Sequence, residues 1–260
     1  MNQEKEFYSS HHKLPFIGEA GQELLKQSKV LVIGAGGLGC PCLLALAGAG
    51  GGTIGIADFD VVSVSNLHRQ NLYSLSDEGK KKTMVAKEKL SQYNPFIAIQ
   101  THDVLAYQKT VLPLIEGYDI IVDCTDNFLA RYLINDACVY LNKPLVYGAI
   151  HRSEGHLTVF NYEGSATLRC LFPKDDNDTT QSCADIGAYN IITGMIGLLM
   201  ANEVIKVITG HKEVLANTLL SVDALSGNTM KLQYKLNQES IVKSKERFQT
   251  PPAVANAGGG

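Results

Sequence analysis

VLVIGAGGLG at residues 30–39 sets Gly34, Gly36 and Gly39 in a G-x-G-x-x-G spacing directly behind the apolar run Val30-Leu31-Val32-Ile33. An apolar strand followed by that spacing is a nucleotide-binding turn: a tight bend, a close backbone approach to phosphate, and a helix N-terminus aimed at the anion. Asp58 follows about 20 residues later, where an acid reaches a ribose hydroxyl. The chain then reads DFDVVSVSNLHRQ over 58–70. A dinucleotide pyrophosphate is held largely by backbone N–H groups and a helix dipole. Here Arg69 and then Lys80, Lys81 and Lys82 add fixed cations near the same strand ends. A triphosphate with its metal carries more charge than a pyrophosphate, so the surplus of cations points to ATP rather than NAD.

Working outward, strand and helix patterns alternate. Strands are expected at 30–33, 53–58, 98–103, 119–123 and 145–147, with helices at 38–48, 80–93, 110–115 and 130–141. Residues 156–162 alternate like an antiparallel strand, 187–209 form a long apolar helix, and strands follow near 219–223 and 231–234. This is an α/β class chain: a doubly wound, Rossmann-like sheet whose parallel strands are continued by antiparallel ones. The pattern fades from Leu236, so residues 1–240 are assigned to one nucleotide-binding domain and 241–260 to a flexible tail.

Bulk properties fit that assignment. Of the 260 residues, 45% are apolar and 19% charged, enough to bury a substantial core. A net charge of −3 gives no general affinity for nucleic acid or an anionic membrane. The polar start MNQEKEFYSSHHK lacks the apolar stretch of a signal peptide, and the most apolar helical window, 191–201, is about half the length of a membrane span. A soluble, cytoplasmic protein is expected. The six cysteines, at 40, 42, 124, 138, 170 and 183, have no framework spacing, which favours reduced thiols.

Six ordered segments resemble the ThiF/MoeB/HesA family, the bacterial relatives of ubiquitin-activating E1 enzymes. They are LPFIGEAGQELL at 14–25, the glycine loop, DFDVVSVSNLHRQ at 58–70, GKKKTMVAKEKL at 79–90, DCTDNFLAR at 123–131 and GAIHRSEGHLTVF at 148–160. The resemblance spans roughly residues 8–234. It implies an adenylyltransferase that uses ATP and Mg²⁺ to activate the C-terminal glycine of a ubiquitin-like sulfur carrier, in molybdopterin, thiamine or related sulfur transfer, and that forms a homodimer. It also implies site roles. Gly34, Gly36, Gly37 and Gly39 would form the loop, Asp58 would hold the ribose, Arg69 and Lys82 the phosphates, and Asp126 the Mg²⁺. Asn66 and Gln70 would complete the phosphate and loop contacts. Cys183, in TTQSCADIG, would take the activated carrier into a covalent conjugate; otherwise sulfur transfer belongs to a separate sulfurtransferase. Adenylation of a tRNA base or a peptide C-terminus, or nucleotide or carrier binding without turnover, are the alternatives.

Three positions depart from the family pattern. Of the two C-x-x-C pairs that hold a structural zinc in many members, Cys170 alone remains, with Thr167 in the place of its partner; one thiolate cannot make a tetrahedral site, so no zinc is expected. The arginine that reaches ATP across the family dimer aligns with Ser10, followed by His11-His12-Lys13. Ala257-Gly258-Gly259-Gly260 resembles the Gly-Gly terminus of a carrier, although a flexible linker is the favoured reading.

Overall fold

Five parallel strands and their crossover helices build the first part of the protein, a computed structural model that describes residues 3–173 and 187–249. β1 (Lys29–Ile33) leads through the glycine loop into α4 (Gly39–Ala49), after three N-terminal helices, α1 (Gln3–Phe7), α2 (Ser9–His12) and α3 (Gly18–Gln27). β2 (Thr53–Ala57), α5 (Lys82–Tyr93), β3 (Ala98–His102), α6 (Val111–Glu116) and β4 (Ile120–Asp123) follow, then α7 (Phe128–Tyr140) and β5 (Leu145–His151). The rest comprises β6 (Glu154–Phe160), the short α8 (Leu168–Leu171), α9 (Asn190–Ile208), β7 (Thr218–Asp223), β8 (Thr229–Gln233) and α10 (Gln238–Gln249).

Among the described residues, eight strands form one sheet in the order β3-β2-β1-β4-β5-β6-β7-β8. β3 through β5 are parallel, and β6, β7 and β8 continue antiparallel. Strand order reverses between β1 and β4, the switch point where open α/β sheets bind ligands. Side chains alternate faces along a strand, so β1 feeds two cores. Val30 and Val32 join the cluster under α4 and α9, while Leu31 and Ile33 join the one under α6 and α7. Burial on both faces is why β1 and β4 read as unbroken apolar runs rather than alternating ones.

Two elements, β5 and α10, differ from the sequence expectation. β5 runs on to His151 because its ladder with β6 carries it through Gly148; pairing overrides the weak strand propensity of glycine. α9 falls within the long apolar helix expected over 187–209, and at 19 residues it is long and apolar enough by composition to cross a membrane, which the 191–201 window alone is not. Its Ile192, Ile196, Met200 and Val204 nevertheless pack into the sheet core. The boundary drawn at residue 240 cuts through α10. This helix is polar in sequence, yet it docks on α7, with Ser240 and Ser244 buried and Asn135 donating to Ser244 Oγ at 3.3 Å. Apart from Phe248, which packs on Tyr140, its anchors are hydrogen bonds and an ion pair, which leave no apolar period to read.

Candidate nucleotide-binding site

The register of the central strands sets the site. Ile33 is level with Ala57 on β2 and with Asp123 on β4, so the chain leaves all three strands at one height. Gly34 begins the turn with φ +96°, and a Cβ there would lie 2.7 Å from the Cys124 carbonyl oxygen. A Cβ on Gly39, the first residue of α4, would meet the Gly34 carbonyl oxygen at 2.0 Å. Only glycine permits that crossing of loop and helix. Gly36 and Gly37 face outward instead, toward Gln70 and Arg69.

Neighbouring residues brace the loop. Asp58, buried at the end of β2, accepts the Ala35 N–H at 2.7 Å on Oδ2 and the Asp60 N–H at 2.8 Å on Oδ1. Tyr73 donates its hydroxyl to the Ala35 carbonyl at 2.9 Å. Lys82, the first residue of α5, is 3% exposed and donates to Asp60 Oδ2 at 2.8 Å. A buried ammonium needs such a partner. Asp60 itself is about half exposed, so the pair sits at the cleft wall with its negative end toward water.

Arg69 donates to Asn66 Oδ1 at 3.0 Å and lies partly exposed. Gln70 is buried against the glycine loop, and its Oε1 has no hydrogen-bond partner. A buried acceptor without a donor is costly, and next to the loop it offers a bond to a ligand hydroxyl or a bound water.

At the end of β4, Asp123 is fully buried and accepts the Thr125 N–H at 2.9 Å and the Thr125 hydroxyl at 2.6 Å. Burial pushes its carboxyl up, opposed by the charge of Arg131. Arg131 donates to the Thr125 carbonyl at 2.8 Å and to the Tyr147 hydroxyl at 3.1 Å, with its guanidinium 5.2 Å from the Tyr147 ring centroid. These contacts fix the loop that ends in Asp126. The Asp126 carboxylate is exposed, and Asn127 caps α7 by accepting the Ala130 N–H at 2.9 Å.

One cleft of about 280 Å³ gathers these parts. Gly34, Gly36, Gly37, Asp58, Asn66, Arg69, Gln70, Lys82 and Asp126 all line it. Gly39 does not; it serves the packing of loop on helix. Asp60 and Arg131 also line the cleft, and Tyr73 holds the loop behind it. The sequence offered no mark for Asp60 and Arg131 beyond their place inside the quoted motifs, and none for Tyr73, which lies between two of them. Cys183 and the 257–260 glycines lie outside the described residues. Ser10 and His11-His12-Lys13 do not line this cleft: Tyr8 packs on Gly50 and Asn94, at the far end of α4.

Among the described residues no group of three or more His, Cys, Asp and Glu side chains is placed to hold a metal. Cys170 Sγ instead accepts the Thr167 N–H at 3.4 Å and the Asn237 N–H at 3.3 Å.

Comparisons with known proteins agree with this architecture. Residues 8–242 match the model of the ThiF family. The chain is 41% identical to a sulfur carrier protein adenylyltransferase of Thermus thermophilus, over 96% of this chain and 95% of that protein. It is 48% identical to the adenylyltransferase and sulfurtransferase MOCS3 of Anopheles gambiae, over 85% of this chain but only 51% of the relative, so it spans about half of that protein. E. coli MccB solved with ATP has the same fold, with a TM-score of 0.78 at 23% identity, covering 92% of this chain and 72% of MccB. On the family match and the two sequence relatives, this chain belongs to the ThiF family.

Proposed function

We propose that this protein is an ATP-dependent adenylyltransferase that activates the C-terminal glycine carboxylate of a ubiquitin-like sulfur-carrier protein. The observation that carries the reading is the convergence of the glycine loop, Arg69, Lys82 and Asp126 on one cleft at the strand ends. The residue set fits a nucleotide triphosphate: outward-facing glycines, two cations, an unpartnered Gln70 Oε1 and an exposed carboxylate. The relatives named as adenylyltransferases support the same reaction here.

The chemistry asks little of a base. A C-terminal carboxylate has a pKa of about 3.5 and is already ionised. One of its oxygens attacks the α-phosphorus of ATP; the bond from that phosphorus to the bridging oxygen breaks, pyrophosphate leaves with the electron pair, and an acyl adenylate remains. Two anions must therefore meet in line, so charge neutralisation and positioning supply most of the rate. Lys82 and Arg69 offset the phosphate charge, Asp58 orients the ribose, and the braced glycine loop presents its N–H groups. Asp126 would hold Mg²⁺, which shields the triphosphate.

The protein is further proposed to act as a homodimer. Ile191, Met195 and Leu198 leave an apolar face of α9 exposed, and residues 10–13 sit away from their own cleft. Cytoplasmic location and a sulfur-transfer pathway complete the reading. ATP–pyrophosphate exchange with Mg-ATP and carriers ending in Gly-Gly tests it. Exchange that requires both a carrier and Asp126, and that disappears in Asp126→Ala, is expected. No exchange with carriers from any sulfur pathway would overturn it in favour of a binding protein without turnover.

A further inference from the structure

We infer that Arg247, on the C-terminal helix, is a positioning residue that holds the cleft-lining segment after β3 and so sets the affinity for nucleotide. Val104, Leu105 and Ala106 line the cleft, and the chain from Asp103 to Thr110 has no regular secondary structure of its own. Such a segment must be pinned from outside to keep a fixed wall. Its first residue is pinned by Lys81, whose Nζ lies 3.1 Å from Asp103 Oδ1. Thr110 staples the far end, donating its hydroxyl to the Leu105 carbonyl at 2.9 Å and accepting the Tyr107 N–H at 3.1 Å.

The remaining tie comes from a helix more than 100 residues away. Arg247 Nε donates to Gln108 Oε1 at 3.0 Å, and Gln108 Nε2 donates back to the Arg247 carbonyl at 3.1 Å. The pairing is reciprocal, so it fixes the direction of approach as well as the distance. Arg247 is itself held, because its NH1 donates at 3.2 Å to Oδ2 of Asp136, a fully buried carboxylate on α7. Asp136 also receives a bidentate pair from Arg169 at 2.7 and 2.8 Å. Tyr140 and Phe248, 5.7 Å apart between centroids, close the same contact. A rigid anchor in the core therefore reaches a surface segment of the cleft through one guanidinium. Arg247 lies beyond residue 242, where the family match stops, so the tie belongs to the segment that sequence reading assigned to a tail.

The inference rests on the cleft being a nucleotide site, and its test separates the two ideas. Gln108→Ala removes both hydrogen bonds of the tie and leaves the buried Asp136 pairs intact; Arg247→Ala removes the guanidinium bonds to Gln108 and Asp136 but keeps the Gln108 Nε2 bond to the backbone carbonyl, and Arg247→Lys keeps the charge but not the fork. Hydrogen exchange on the intact protein is expected to speed up across 103–110 in Gln108→Ala and Arg247→Ala, with the β-strand amides unchanged. Calorimetry with Mg-ATP is expected to show affinity weakened about three- to tenfold in Gln108→Ala, the loss of one or two exposed hydrogen bonds. The double variant should weaken binding no further than Gln108→Ala does. In turnover the change should fall on the KM for ATP with kcat kept. Unchanged exchange at 103–110 in both single variants would overturn the inference, whatever the protein's activity. Faster exchange there with unchanged Mg-ATP affinity would overturn it as well. Failure of wild-type protein to bind Mg-ATP would instead overturn the nucleotide reading.

Discussion

Lys82 Nζ lies 2.8 Å from Asp60 Oδ2, with the lysine buried and the aspartate half exposed. The cation is thus held in the cleft wall by a partner that water can take over. A triphosphate entering the cleft competes for an ammonium that is already desolvated and aimed, which avoids reorganisation during reaction.

Lys82→Ala is therefore expected to lower carrier-dependent pyrophosphate exchange by about 10²- to 10³-fold, the usual loss for one preorganised charge donor. Thermal stability should change little, because Asp60 is left in water rather than buried. Lys82→Arg should not restore the rate, since a planar fork does not fit the place of a compact ammonium. Steady exchange rates for the three proteins decide this; activity within threefold of wild type in Lys82→Ala would remove the residue from the mechanism.

Gly39→Ala tests the crossing of loop and helix. A methyl there would sit 2.0 Å from the Gly34 carbonyl oxygen, a backbone atom that cannot step aside. A destabilisation of about 2 kcal/mol or more is expected, from overpacking of a tight core contact. Gly36→Ala should be mild in stability, as its Cβ would meet only Gln70 Nε2 at 3.5 Å. Denaturant midpoints that rank the two variants the other way round would refute the packing argument.

How far the sequence could be read depends on what holds each part. The parallel strands and the glycine loop were legible because a doubly covered strand must be apolar and a loop crossing must be glycine. Asp58, Arg69, Lys82 and Asp126 were legible as residue types in a motif, and the strand register brings them to one cleft. Asp60, Tyr73 and Arg131 were not, since their roles lie in which carbonyl or ammonium they touch. α10 escaped for a related reason. Its anchors, Ser244 with Asn135 and Arg247 with Asp136, are polar pairs made across more than 100 residues, and a periodicity scan records only apolar faces.

Acid should weaken the fold through Asp77. Its carboxylate accepts from Lys89 Nζ and from the Ser74 hydroxyl at 2.7 Å, and these bonds hold its pKa well below the usual carboxylate range. A group lowered in the folded state contributes its stability in full above the unfolded pKa near 4, and loses it as pH falls below that value. The urea midpoint is expected to drop from about pH 5 downward. In Asp77→Asn it should start lower and depend less on pH. Parallel pH profiles for the two proteins would exclude this carboxylate as a source of the acid sensitivity.

The exposed apolar residues of α9 predict self-association. Leu198→Asp, at a position more than half exposed in one chain, should leave the fold intact and shift the protein to monomer. Light scattering at micromolar concentration checks both forms. A monomeric wild-type protein would end the dimer proposal.

Thiol chemistry gives the last prediction. Cys40, Cys42, Cys124 and Cys138 are buried. Burial pushes the Cys40 thiol up to about 12 and raises Cys138, while the neighbouring Cys42 and then burial raise Cys124. None of these three offers a thiolate at neutral pH, and Cys42 offers no access. Cys170 is partly exposed, but two backbone N–H groups point at its sulfur. In a Cys170→Ser background, any rapid alkylation at neutral pH should therefore report Cys183. If Cys183 carries the activated substrate, Cys183→Ser should keep pyrophosphate exchange and lose any covalent conjugate between carrier and enzyme. Intact-mass spectra after turnover read both outcomes. A conjugate that persists in Cys183→Ser makes that thiol a bystander and assigns sulfur transfer to a separate sulfurtransferase.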